Sequence, residues 1–167
     1  HTITVSKDDQ GEVIVQHTWD DLKNQRVSVS GSATVTWNLK DPSRHVVHDL
    51  TWTRLADGRT GEGSGDTVQK PLPDGLKEGI SVNGDRQWKG QKGQWDLSID
   101  NIEMRWADPV PQAGSYELTA PNGKTATLSF KRIDADTIEA DFETGSKSYT
   151  FLVNKDGSVQ NDSGNGS

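Results

Sequence analysis

Alternation with a period of two runs through most of the chain, and no other feature constrains its fold as much. In Ala33-Thr-Val-Thr-Trp-Asn-Leu39, Ala33, Val35, Trp37 and Leu39 fall on one face and Thr34, Thr36 and Asn38 on the other. Successive side chains of a strand point to opposite sides, so this pattern reads as a half-buried β-strand. Trp95-Asp-Leu-Ser-Ile99 repeats it, and Ile80, Val82 and Trp88 keep one phase within Gly79–Trp88. Ile102, Met104 and Trp106 resume it after a one-residue slip at Asp100-Asn101, the mark of a bulge or tight bend. No window of a dozen residues keeps an i, i+3, i+4, i+7 apolar stripe free of glycine or a β-branched run, so no helix is expected.

Further strands are expected at Thr2–Val5, Glu12–Gln16, His45–Leu55 and Thr60–Val68. The last third is the most regular, with Ser115–Ala120, Thr125–Arg132, Thr137–Glu143 and Ser148–Val153 joined by short turns. Asn122-Gly123 predicts a type I′ hairpin turn, which needs positive φ at both central residues. Lys70–Glu78 and Ala107–Gly114 each hold two prolines and read as irregular, the first as a surface loop between halves. No repeat of solenoid or propeller length is visible. The expectation is one all-β domain over 1–160, an antiparallel meander of about ten strands forming a barrel, sandwich or rolled sheet. The polar stretch 161–167 reads as a disordered tail.

Composition bounds the function. Only 30% of the 167 residues are apolar, and six tryptophans supply much of the large side-chain area for a core. A net charge of −7 without a Lys/Arg cluster disfavours nucleic acid and anionic membranes. No apolar run approaches the ~20 residues of a transmembrane helix. With no cysteine, disulfides and thiolate metal sites are excluded. A start at His1 rather than Met reads as processing, excision or a tag remnant.

Few residue constellations carry chemistry. Trp37, Trp52, Trp88, Trp95 and Trp106 each share the apolar phase of their own strand, which favours core packing over an exposed sugar platform and leaves an inward tryptophan-lined pocket open. Trp19, beside Asp20-Asp21, has no such register. His45 and His48 are three apart, which on a strand puts them on opposite faces and unable to share an ion. An N-terminal histidine can chelate copper, but His1 reads as a tag or truncation product. Glu139, Asp141 and Glu143 alternate with apolar residues as a solvated strand face, and two carboxylates facing a cleft, as a glycosidase needs, are not discernible. Asn154-Lys-Asp-Gly157 and 162–166 lack EF-hand spacing.

Arg59-Thr-Gly-Glu-Gly-Ser-Gly-Asp-Thr67 lacks the lysine and the following helix of a phosphate loop, and the helix context of a nucleophile elbow. As a strand it puts Gly61, Gly63 and Gly65 on one face and Glu62, Ser64 and Asp66 on the other. A glycine row marks close approach of something bulky. The expectation is an aromatic ring, from Trp52 or Trp88, lying across it.

From Asp49 onward the chain resembles a loose set of exported, often lipid-anchored bacterial β proteins without assigned function. The residues that carry the likeness are Asp49-Leu-Thr-Trp-Thr53, Asp57-Gly-Arg-Thr60, Val82-Asn-Gly-x-Arg-x-Trp88, Trp95-x-Leu-x-Ile99, Pro121-Asn-Gly-Lys124 and Ser148–Val153. Such proteins often carry cysteines in the later strands, and this chain has none. The resemblance implies an all-β fold and a cell-envelope location in a Gram-negative bacterium: periplasm, outer-membrane lipoprotein or surface. Taken together, the expectation is a non-catalytic envelope protein, a binding or structural module with no cofactor or metal and with a protein or glycan of the envelope as partner. A carbohydrate or small-ligand binder and a glycan-active hydrolase are the alternatives. Ligand-binding candidates are Trp52, Trp88, Trp95, Trp106, Arg86, Gly61, Gly63 and Gly65.

Overall fold

The computed structural model describes residues 1–161. The tail expected at 161–167 lies outside them except for the backbone of Asn161, as does the 162–166 stretch. Twelve antiparallel strands form one meander sheet whose spatial order is the chain order. They are β1 (Thr2–Lys7), β2 (Val13–Lys23), β3 (Val27–Asn38), β4 (Ser43–Arg54), β5 (Thr60–Pro71) and β6 (Gly79–Gly90), then β7 (Gly93–Arg105), β8 (Ala113–Thr119), β9 (Thr125–Arg132), β10 (Thr137–Thr144), β11 (Lys147–Asn154) and β12 (Val159–Asn161). The all-β expectation holds, with no helix among the described residues, and the strand order runs from β1 to β12 without closing.

The chain divides into two compact units. The first comprises His1–Gln69 and Gly84–Asp96. Its ladders align Val5, Val15, Val35, Val46 and Thr67 in one row across β1 to β5. Within this row Val35 and Thr67 are buried, while Val5 at the edge is exposed.

Two glycines and a bulge set the local geometry here. Gly31 interrupts the β3 pattern in sequence, yet the strand continues through it with φ +132°, and a Cβ there would meet the Asp49 carbonyl. Gly84 lies against the Asp66 carbonyl in the same way. Side chains at either site would push neighbouring strands apart. The β2–β3 register shifts between Trp19 and Leu22, where Asp21 has φ 50° and its N–H donates to Ser30 Oγ at 2.9 Å. This bulge is why Trp19 has no register in the sequence.

The second unit comprises Lys70–Asn83 and the chain from Leu97 onward. Its core is Val82, Ile99 and the fully buried Ile102, packed by Ile80, Leu97, Met104, Tyr116 and Phe130. Ile99 and Ile102 are three apart and would face opposite ways on a regular strand. The expected bulge brings both inward: Asn101 has φ 47°, donates its N–H to Asn83 Oδ1 at 2.8 Å, and receives Gly114 against its carbonyl.

Two sequence expectations are corrected here. The β8–β9 turn is not type I′, because Gly123 has positive φ (75°) and Asn122 does not. Pro121 fixes the φ of a type I turn, closed by left-handed Gly123, whose N–H donates to the Ala120 carbonyl at 2.9 Å. Within Lys70–Glu78, Lys70 and Pro71 complete β5, and Leu72 is buried rather than on a surface loop.

Candidate functional site

Across the β4–β5 ladder, Trp52, Leu50 and His48 stand opposite Gly61, Gly63 and Gly65. The three glycines form a strip without side chains between larger neighbours. The Trp52 ring occupies the space a Cβ of Gly61 would need. Trp88 Cδ1 comes within 3.7 Å of the Cβ position at Gly63. At Gly65 that position lies 2.6 Å from His48 Cε1 and 3.0 Å from Arg86 Cγ. The expected ring across the glycine face is therefore present, and the strip is covered from both β4 and β6. Glu62 and Asp66 project to the opposite, exposed side, where Asp66 Oδ1 lies 2.6 Å from His45 Nε2. His45 and His48 sit on opposite faces, as the spacing requires.

The expectation of core packing for the tryptophans is overturned. Trp52, Trp88 and Trp95 are 37%, 41% and 39% exposed, and Trp37 is exposed as well. Sharing an apolar phase puts rings on one face, but burial also needs neighbours packed over that face, which the phase does not report. Trp52, Trp88 and Trp95 line an open groove of ≈ 340 Å³ beside the β4–β5 and β6–β7 hairpins. It adjoins a second of ≈ 430 Å³ that shares Trp52, Glu62 and Lys89. Where the sequence leaves an inward tryptophan-lined pocket open as an alternative, these three rings border an open surface groove. No stacking joins these three rings among the described residues, in contrast to His1, His17 and Trp19, whose rings stack with centroids 5.1–5.7 Å apart.

Arg59, Lys89, Lys92 and, among the described residues, one acid, Glu62, border the same groove, but Lys89 and Glu62 alternate with Trp88 and Gly61 and turn their side chains to the other face of the sheet. Lys89 Nζ lies 3.7 Å from Glu62 and Arg59 Nε 3.2 Å from Asp57. The Asp57 carboxyl is held down at about 2, chiefly by its hydrogen bond with Arg54. The sequence reading missed these cations. The signal was Lys89-Gly-Gln-Lys-Gly-Gln-Trp95, a basic turn placed between two in-phase tryptophans.

Of the other candidates, Arg86 lies over Gly65 on the same strip, while Trp106 belongs to the second unit. Its Nε1–H donates to the Leu76 carbonyl at 2.8 Å and its ring is 58% exposed. His48 sits beside Arg86, and partial burial, then the Arg86 charge, push its pKa down. His1 Nε2 is 3.1 Å from His17 Nδ1. No group of three or more His, Cys, Asp or Glu that could hold a metal occurs among the described residues, and they include no helix long and apolar enough to cross a membrane. No family model, curated protein or solved structure matches the chain.

Proposed function

We propose that this chain is a non-catalytic binding module of the cell envelope, with the Trp52–Trp88–Trp95 groove as its contact surface and a carbohydrate as its ligand. The observation that carries this reading is the exposure of three tryptophans around one groove, with Trp52 seated on Gly61 and Trp88 against Gly63. Exposed indoles are costly to leave in water and large apolar surface marks binding. The electron-rich ring face attracts the polarised C–H bonds of a sugar ring. A single groove carboxylate fits binding better than hydrolysis, for which two carboxyl groups flank the scissile bond. The envelope location rests on the likeness of residues 49–153 to exported bacterial β proteins.

Intrinsic fluorescence titrated with a panel of neutral and acidic oligosaccharides tests the reading. At least one should shift the emission saturably in the wild type and fail to do so in Trp52→Ala/Trp88→Ala. A flat response across the panel would remove carbohydrate as the ligand.

A further inference from the structure

We infer that the outer edge of β1 is an interface between two copies of this chain, paired antiparallel about a two-fold axis so that the sheet of one molecule continues into the other. The strand order stops at β1 and at β12, and each end presents a row of backbone N–H and C=O groups to pair with. The two ends differ. β12 is described over three residues, Val159–Asn161, and a strand that short offers little to a partner. β1 pairs with β2 over six consecutive positions without a bulge. It holds no proline and no residue of positive φ, and its one charge is Lys7 at its end. All six of its residues are exposed, Ile3 by 54% and Val5 by 66%. The devices that blunt an edge strand are thus present on β12 and nearly absent from β1.

Self-complementarity points to a second copy as the occupant. Along an antiparallel strand, alternate residues turn their N–H and C=O outward, and residues directly opposite each other are of the same kind. A two-fold pair of β1 strands therefore sets odd positions against odd and even against even. With Thr4 on the axis, Ile3 stands opposite Val5 of the second copy and Thr2 opposite Ser6. The apolar side chains then meet on one face and the hydroxyls on the other, which is the pairing that stabilises a sheet. Ile3 and Val5 already lie beside His17 and Val15 of β2, so a strand on their other flank covers apolar surface that is otherwise wet. A two-fold contact uses both β1 edges and stops growth at the dimer.

Charge is the second support. The chain carries −7, so two copies repel over most of their surface. β1 has no carboxylate. The acids nearest to it in sequence, Asp8 and Asp9, follow it in the turn to β2, where Asp8 Oδ1 accepts the N–H groups of Gln10 and Glu12, each at 2.9 Å. The edge that is longest and least guarded is thus also one along which two acidic molecules meet without opposing acids.

Sedimentation velocity and cysteine cross-linking test the interface together. A six-residue strand makes a small contact, so association is weak and is followed over roughly 1 to 300 µM protein. The wild type should pass from monomer to dimer within that range and form nothing larger. Ile3→Lys/Val5→Lys places like charges opposite each other across the axis and should weaken the dimer at least tenfold or so. Both positions are exposed, and unchanged far-UV circular dichroism and tryptophan emission show that the variant is folded. The chain has no cysteine, so Thr4→Cys can form only an intermolecular disulfide and should oxidise to a covalent dimer. Gln160→Cys, on β12, should stay monomeric. A wild type that remains monomeric at every concentration would overturn the second copy as occupant of this edge. A dimer that survives the double lysine variant, or cross-links through Gln160→Cys and not through Thr4→Cys, would place the contact elsewhere and overturn the assignment of β1.

Discussion

The indole of Trp52 lies on Gly61, its direct partner across the β4–β5 ladder, and fills the space a side chain there would take. Glycine within a strand sacrifices roughly 0.5–1 kcal/mol relative to alanine, so retaining it needs a steric reason, and the ring supplies one. Gly61→Ala should displace the indole, destabilise the protein by about 1–3 kcal/mol and shift the emission maximum. Gly90, at the end of β6, has nothing within 4 Å of its Cβ position. Gly90→Ala should leave both emission and thermal stability nearly unchanged or slightly improved.

His48 sets an acid limit on this strip. Burial and Arg86 hold its folded pKa below the ordinary value of 6.5, against a smaller opposing effect of Asp49. The unfolded chain therefore binds the proton first, and stability falls as pH drops below 6.5 towards the folded value. Thermal unfolding followed between pH ~8 and ~5 should show a steeper loss in the wild type than in His48→Gln. Parallel curves would show that His48 contributes nothing to the acid sensitivity.

Trp106 separates stability from binding. Its hydrogen bond to Leu76 ties the end of β7 to the turn after β5 within the second unit. Trp106→Phe keeps most of the ring and removes the donor, and should lower stability by about 1 kcal/mol. Saccharide affinity measured in the same sample should not change. A lost affinity would bring Trp106 back into the site.

Asp108 anchors the proline-rich connection before β8. Its carboxylate is 4% exposed and pairs with Arg132, which also donates from Nε to Gln112 Oε1 at 3.0 Å and from its guanidinium to the carbonyls of Asp134 and Ala135. Asp108→Ala leaves a partly buried guanidinium short of its counter-ion, and urea unfolding should show a loss of about 3 kcal/mol. Asp134→Ala, which keeps the carbonyl contact, should cost clearly less.

Alternation and turn chemistry made the strand list legible in sequence, since both are local. The bulge at Asn101 showed itself as a phase slip, and the glycine row as an approach site for Trp52 and Trp88. What alternation cannot report is whether a face is covered. Trp37, Trp52, Trp88 and Trp95 have the phase of core residues, yet all four are 37–41% exposed. Trp106 was grouped with the site by ring type alone, whereas the fold assigns it to another unit. The turn at Asn122 was misread because Pro121, one residue earlier, already dictated a type I geometry. Arg59 and Lys92 carry no mark of their own in the sequence, because their place at the groove depends on which hairpin ends the fold brings beside the rings.

The most direct test of the central claim reads the six indole N–H signals individually. In a ¹H–¹⁵N spectrum titrated with the neutral and acidic oligosaccharides in turn, the N–H resonances of Trp52, Trp88 and Trp95 should move together with at least one of them and saturate at one ligand concentration. Those of Trp19, Trp37 and Trp106 should stay in place. Shifts confined to the second set, or an unchanged spectrum with every saccharide tried, would contradict the assignment of this groove as the binding surface.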